Sequence, residues 1–142
     1  MHRLQIVIDT NVLLAGLRSP RGASYQVLRL LAGGYFDVNI SVPLVLEYES
    51  IAKRYLDDLP INAQDVEELI DYVCTIAHAH EVHYTWRPFL PDPNDEMILE
   101  LAVSASCDAI VTFNKRDFRG CEQFGLRLLT PVELLQEIGV LK

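Results

Sequence analysis

Short apolar runs alternate with helix-period segments along the whole of this chain, a pattern that few folds satisfy. Leu4-Gln5-Ile6-Val7-Ile8 is a β-branched run that ends abruptly in Asp9-Thr10-Asn11, as a buried strand does when it empties into a polar loop or a helix start. Residues 23–32 carry Val27, Leu28, Leu30 and Leu31 at helical spacing and stop at Gly33-Gly34. A second strand is expected over 36–41, and Pro43 marks the start of a helix running to about Leu56. Val66, Leu69, Ile70, Val73 and Ala77 predict a long helix over 63–79, with a third strand over 81–86. Pro88, Pro91 and Pro93 then interrupt the chain. A helix over 94–106 places Met97, Ile98, Leu101, Ala102 and Ala105 on one stripe, and Ala109-Ile110-Val111-Thr112 follows as a fourth buried strand. Arg127-Leu128-Leu129 reads as a fifth. Thr130-Pro131-Val132-Glu133 is a capping box with proline at the first helical position, ahead of a last helix ending at Gly139. The expectation is one three-layer α/β/α domain over residues 1–142, built on a mostly parallel sheet of about five strands. With 142 residues, half of them hydrophobic, a single core burying roughly two thirds of the unfolded surface suffices.

Charge and cysteine content narrow the function. Twelve Lys and Arg against 20 Asp and Glu give a net charge of -8, which argues against coating nucleic acid by bulk positive charge. Cys74, Cys107 and Cys121 are odd in number and lack C-x-x-C spacing, so neither a disulfide framework nor a zinc knuckle is suggested. No apolar run approaches the roughly 18–20 residues of a membrane span, and Met1-His2-Arg3 leads straight into the first strand. A soluble, unprocessed, cytoplasmic chain is expected. G-x-S-x-G, P-loop and G-x-G-x-x-G motifs are all missing, so nothing points to serine hydrolysis, nucleoside triphosphates or dinucleotides.

Ligands of open parallel sheets bind outside the carboxyl ends of the strands, and here the residues just past those ends are acidic. Asp9 follows the first strand, Glu47 sits one turn into the helix after the second, Asp95 opens the helix before the fourth, and Asp117 lies in the loop after it. Taken singly, Asp9 and Asp95 also read as helix caps, and Glu47 and Asp117 as solvated charges. Helical phase puts Asp95 on the side of Ile98, Leu99 and Ala102, while Glu96 and Glu100 point elsewhere. It puts Glu47 between Leu44 and Ile51, whereas Glu49 has Lys53 four residues on, as half of a surface ion pair. Several carboxylates at one end of a sheet repel one another and call for raised pKa values or bound cations, and hard oxygen ligands suit Mg²⁺ or Mn²⁺.

These segments resemble a known family, the PIN-domain ribonucleases, whose members include the VapC-like toxins of toxin–antitoxin pairs. Asp9-Thr10-Asn11-Val12-Leu13-Leu14 is similar to the family's opening motif, and Ser41-Val42-Pro43 through Glu47-Tyr48 to its second acidic segment. Asp92-Pro93-Asn94-Asp95-Glu96 running into Leu101-Ala102 matches the third, and Ile110-Val111-Thr112-Phe113-Asn114-Lys115-Arg116-Asp117-Phe118 the fourth. The resemblance implies a Mg²⁺- or Mn²⁺-dependent endoribonuclease, using one or two ions and acting as the toxin of a type II pair. Its partners would be RNA, an antitoxin protein and further copies of itself. Asp9, Glu47, Asp95 and Asp117 would be the metal-binding, catalytic acids, with Thr10, Asn11 and Thr112 as polar support. One departure stands out, because many members carry an acid where this chain has Asn114. A neutral ligand binds a cation less well, so Asn114 either coordinates through its carbonyl oxygen or orients a water, and a second ion is the part it weakens. Asp92, just before Pro93, either joins the acids or caps the helix.

Cations near the site would supply the grip that net charge does not: Arg18 and Arg21 after the first motif, and Lys115, Arg116 and Arg119 around the fourth, each either a phosphate contact or a solubilising charge. His78-Ala79-His80-Glu81-Val82-His83 matches no tight zinc template. Trp86 and Phe89 beside Arg87 either stack a base or cover the core, and Cys107 on the Asp95 helix reads as a small buried residue. The apolar terminus around Val140-Leu141 either packs a dimer seam or is ordinary exposed surface. Two other functional classes stay open. One is a binding-only domain of the same fold that has lost activity. The other is a receiver-type phosphoacceptor module, which Asp9, Thr112 and Lys115 suggest but which needs an aspartate at the end of the middle strand, where the third run has Arg87 and Pro88.

Overall fold

Continuous apolar runs are what strands buried on both faces of a parallel sheet require, and the chain uses them that way. The computed structural model describes residues 3–82 and 89–142. Five strands, β1 Leu4–Ile8, β2 Phe36–Ile40, β3 His78–Ala79, β4 Ala109–Val111 and β5 Arg127–Leu129, pair in the order β3-β2-β1-β4-β5. Every pairing is parallel. Six α-helices connect and flank them: α1 Thr10–Arg18, α2 Ala23–Arg29, α3 Val42–Arg54, α4 Ala63–Ile76, α5 Pro93–Ser104 and α6 Pro131–Glu137. Crossovers from β1 to β2 to β3 run one way along the sheet and the return to β4 and β5 runs the other. Right-handed connections therefore put α1 to α4 on one face and α5 on the opposite one. The α/β fold with a five-stranded parallel sheet is the one expected from the sequence. Its core centres on β1 and β4, where Ile6, Val7, Ala109, Ile110 and Val111 are completely buried.

Several boundaries differ from expectation, each for a local reason. The polar residues after β1 open α1 directly, without an intervening loop. The second helix stops at Arg29 rather than at 32, because the backbone from Leu30 to Gly33 closes into tight turns on Val27, Leu28 and Leu30. The third strand is His78–Ala79, not 81–86. Residues 81 and 82 are not in a strand, and 83–88 lie outside the described residues. Correspondingly α4 ends at Ile76, where Ala77 turns extended (φ -84, ψ 157) to meet the sheet edge. What fixes β3 is register, not propensity: Asn39 pairs with His78 and Ile40 with Ala79, and the His80 N–H donates to the Ile40 carbonyl at 2.9 Å. Asn39 spends its amide N–H groups on Gln5 and the Ile6 carbonyl, so its oxygen receives His80 Nε2–H at 2.7 Å. Two of the three clustered histidines thus serve the sheet edge, His78 facing Asp37 at 3.8 Å, and His83 lies outside the described residues.

The last long helix before β4 ends at Ser104, and Ser106 takes a left-handed φ of 53 that carries the chain away. Cys107 is therefore buried beyond the helix rather than on it. The capping box of α6 forms as read, with Thr130 accepting from the Glu133 N–H and Glu133 from the Thr130 N–H. Among the described residues no helix is long and apolar enough to cross a membrane.

Candidate active site

Strand order reverses between β1 and β4, and at such a switch point the connections leave in opposite directions and open a crevice. Asp9 and Thr112, the residues immediately past these two strands, form its floor. The Asp9 N–H donates to the Val111 carbonyl at 2.9 Å and the Thr112 N–H to Leu129 at 2.8 Å, so the sheet ladder itself sets their position. Asp9 occupies the N-cap position of α1, yet its side chain makes no capping hydrogen bond. Instead the buried Thr112 hydroxyl donates to Asp9 Oδ2 at 2.7 Å and accepts the Asn114 N–H at 2.9 Å. The strongest partner of the Asp9 carboxylate is therefore Thr112 across the sheet rather than the end of α1. Burial raises its pKa, while the Thr112 hydroxyl and the Thr10 and Asn11 backbone N–H groups resist that rise.

A cleft of about 280 Å³ gathers the predicted acids: Asp9 from β1, Glu47 from α3, Asp95 from α5 and Asp117 from the 3-10 turn Lys115–Phe118. Thr10, Asn11, Asp92 and Asn114 line it too, while Thr112 lies beneath Asp9. Asp92 is the N-cap of α5, accepting the Asn94 N–H at 2.8 Å, which leaves Asp95 free of capping duty. Burial, and then the charges of Asp9, Asp92 and Asp117, push the Asp95 carboxyl up to about 7. Glu47 is half-buried, whereas Glu49 pairs with Lys53 at 3.7 Å as the spacing predicts.

Two positioning groups had no signal in the sequence. The Tyr48 phenol, fully enclosed next to Glu47, donates to the carbonyl of Ile8 and so ties α3 to the end of β1; burial and the nearby Asp9 push its pKa up. Glu96, expected to point elsewhere, is buried: Oε1 accepts the Phe89 N–H at 2.7 Å and Oε2 the Leu90 N–H at 3.2 Å. The chain doubles back between residues 89 and 96, and only that reversal brings donors to this face of α5.

The five loop cations separate. Arg18 ends α1, about 13 Å of helix from Asp9, and Arg21 lies in the turn beyond it. Lys115 Nζ is 2.6 Å from Glu133 of α6. Arg116 lines a recess that shares Asp92, Asp95 and Asp117 with the acidic cleft, and Arg119 is exposed at the end of the same turn. Trp86 and Arg87 lie outside the described residues.

Oxygen donors dominate the cleft, and Asn11 Oδ1 is buried there without a hydrogen-bond partner among the described residues. Both features, with the raised carboxyls, suit a hard divalent cation. Among the described residues no three His, Cys, Asp or Glu side chains stand close enough to enclose an ion by themselves.

Comparison with known proteins bears on the fold and the family. No curated protein resembles the chain closely enough to count as a match. Among solved structures the fold is shared with VapBC2 from Rickettsia felis, crystallised with a DNA fragment from its promoter, at 14% identity and a TM-score of 0.60. That match covers 88% of this chain and 98% of the other. The family described as PIN domain matches residues 5–116, a span that takes in Asp9, Glu47, Asp95, Thr112 and Asn114 and stops one residue short of Asp117. With the sheet order, the strand-end acids and this match over most of its length, the chain belongs to the PIN-domain family.

Proposed function

We propose that the chain is a divalent-cation-dependent endoribonuclease that hydrolyses RNA phosphodiester bonds. PIN domains are generally nucleases, and the observation that carries the finer reading is the convergence of Asp9, Glu47, Asp95 and Asp117 on one cleft at the switch point. These four acids would hold Mg²⁺ or Mn²⁺, with Asn114 offering a neutral oxygen. A bound cation supplies the chemistry by making a hydroxide nucleophile available near neutral pH and offsetting charge on the phosphate. Thr112 keeps Asp9 aimed and favours its carboxylate form, Tyr48 holds β1 against the helix that carries Glu47, and Asp92 starts α5 so that Asp95 faces the cleft. No nucleophilic side chain is needed. The four acids hold half of the net charge of -8, so the excess that argues against bulk RNA binding belongs in part to the cutting site. Purified protein incubated with RNA and Mg²⁺ should cleave it. Cleavage that persists in Asp9→Asn, or in excess EDTA, would overturn the reading.

Asn114 supports a second reading, a binding-only PIN domain. Absence of Mn²⁺ binding at about millimolar metal would favour it. The receiver reading meets a different obstacle from the one its sequence order suggests. β1 is the middle strand and does end in an aspartate, but the order is β3-β2-β1-β4-β5 rather than the 2-1-3-4-5 of receiver modules. Likeness to the R. felis complex supports the toxin role, with an antitoxin partner. Co-purification with the product of an adjacent small reading frame would test it, and a chain that purifies alone from its native operon would count against it.

A further inference from the structure

Among the described residues one cation shares a cavity with the acids. Arg116 borders a recess of about 160 Å³ together with Pro91, Asp92, Asp95 and Asp117, and those three acids also line the main cleft. Lys115 is taken by Glu133, and Arg18, Arg21 and Arg119 line neither cavity. Arg116 is exposed, and although three carboxylates line its recess, its guanidinium forms no ion pair among the described residues. Its backbone is nonetheless fixed. The Asn114 carbonyl accepts the Asp117 N–H at 3.0 Å, and the Arg116 carbonyl accepts the Arg119 N–H at 3.3 Å. Completely buried Phe118 pins the end of the turn to the core.

The acids on this side fall short of what two cations need. Hydrolysis assisted by two ions sets them about 3.5–4 Å apart, one at the attacking oxygen and one at the leaving oxygen, each with ligands of its own. Asn114, just before the turn that carries Arg116, offers the cleft only a neutral oxygen, and Asp92 is engaged as the cap of α5. Among the described residues the acids do not close by themselves even around one ion, so a second ligand set is not at hand. An ion entering the recess would also meet a guanidinium of like charge.

A guanidinium needs no carboxylate ligands, stays charged, and forks onto two phosphate oxygens. We propose that Arg116 stands in for the second cation: the acids hold a single divalent ion, and Arg116 is a catalytic residue that donates to the scissile phosphate and offsets the charge gathering there. In the step it serves, a water oxygen bonds to phosphorus and gives up a proton. The P–O bond to the leaving group breaks, and the departing oxygen takes up a proton. Arg116 contributes charge and keeps its own protons. This rests on the nuclease reading above, and the test separates the two.

Mn²⁺ is titrated into the full-length protein, with bound ions counted from the loss of the free-ion paramagnetic resonance signal. Wild type should bind one ion per chain, and Asn114→Asp alone should stay at one. Combining Asn114→Asp with Arg116→Gln, which adds a charged oxygen and removes the guanidinium, should raise the count to two. In RNA cleavage, Arg116→Gln should lower kcat about hundredfold and leave KM within about threefold. Arg116→Lys, a point charge without the fork, should recover part of that loss. Melting curves check that the variants fold. Two ions on wild type, or one still on the double variant, would overturn the proposal. So would an Arg116→Gln protein with raised KM and unchanged kcat, the mark of a grip that is equal in ground and transition states. If wild type cleaves RNA with two ions bound, this inference fails and the nuclease stands. If the ion counts change as stated but no RNA is cut, the single-ion site stands, while the nuclease and the catalytic role of Arg116 fall.

Discussion

Replacing Asp95 by asparagine should make the metal-free protein more stable, the opposite of what removing a buried polar contact usually does. Burial and the charges of Asp9, Asp92 and Asp117 raise this carboxyl from the ordinary 3.8 to about 7. The native state therefore holds its proton throughout that window while the unfolded chain releases it. Stability consequently falls as pH climbs from about 4 to about 7, and the loss is complete above that. Unscreened, the displacement is worth roughly 4 kcal/mol at about 1.36 kcal/mol per pH unit. Asp95 is only half-buried, and water reduces this to about 1–2 kcal/mol. Asp95→Asn removes the charge and keeps the volume. At pH 8 in EDTA it should melt about 3–6 °C above wild type, and the two should converge near pH 4. Adding Mg²⁺ should reverse the ranking, because bound cation stabilises wild type by about 2.7 kcal/mol at a hundredfold excess over Kd, and the variant forgoes that gain. A variant that melts no higher than wild type at pH 8 without metal would refute the repulsion argument, as would a wild-type melting temperature that is flat from pH 5 to 8.

Other perturbations have equally definite outcomes. Thr112→Val removes the donor to Asp9 Oδ2 and the acceptor of the Asn114 N–H; it should cost about 1–3 kcal/mol in urea melts. With nothing left on that side to favour the Asp9 carboxylate, its cleavage profile should also move to higher pH. Asn114→Asp adds a charged oxygen to the cleft and should tighten Mn²⁺ binding by about tenfold in a calorimetric titration, while lowering metal-free stability. Gly16→Ala places a β-carbon 2.5 Å from Leu28 Cδ1 and 3.1 Å from the Ser24 carbonyl, where α1 crosses α2. It should cost roughly 1–3 kcal/mol, read as a lower urea midpoint with an unchanged slope.

Much of this molecule is legible from its sequence because parallel sheets write plainly. Strands buried on both faces must be continuously apolar, so Ile6-Val7-Ile8 and Ala109-Ile110-Val111 are visible, and strand ends then point to Asp9 and Asp117. What stayed hidden depends on distant partners. His78–Ala79 is a strand only because β2 offers a register and Asn39 a side-chain acceptor. Tyr48 reaches a carbonyl 40 residues away, and Glu96 binds backbone that folds back over its own helix. Lys115 shows the same limit from the other side: near the acids in sequence, it is taken by Glu133 of α6. Spatial strand order was hidden too, which is why the aspartate ending the middle strand is Asp9 rather than a residue after the third run.

The central claim is that Asp9, Glu47, Asp95 and Asp117 act as one cation site. Calorimetric titration of Mn²⁺ into wild type and into Asp9→Asn and Asp95→Asn tests it most directly. Wild type should bind at about millimolar concentration or tighter, and each variant should lose at least about tenfold in affinity, since its oxygen donor has become a neutral amide. Equal binding by all three proteins would contradict the claim.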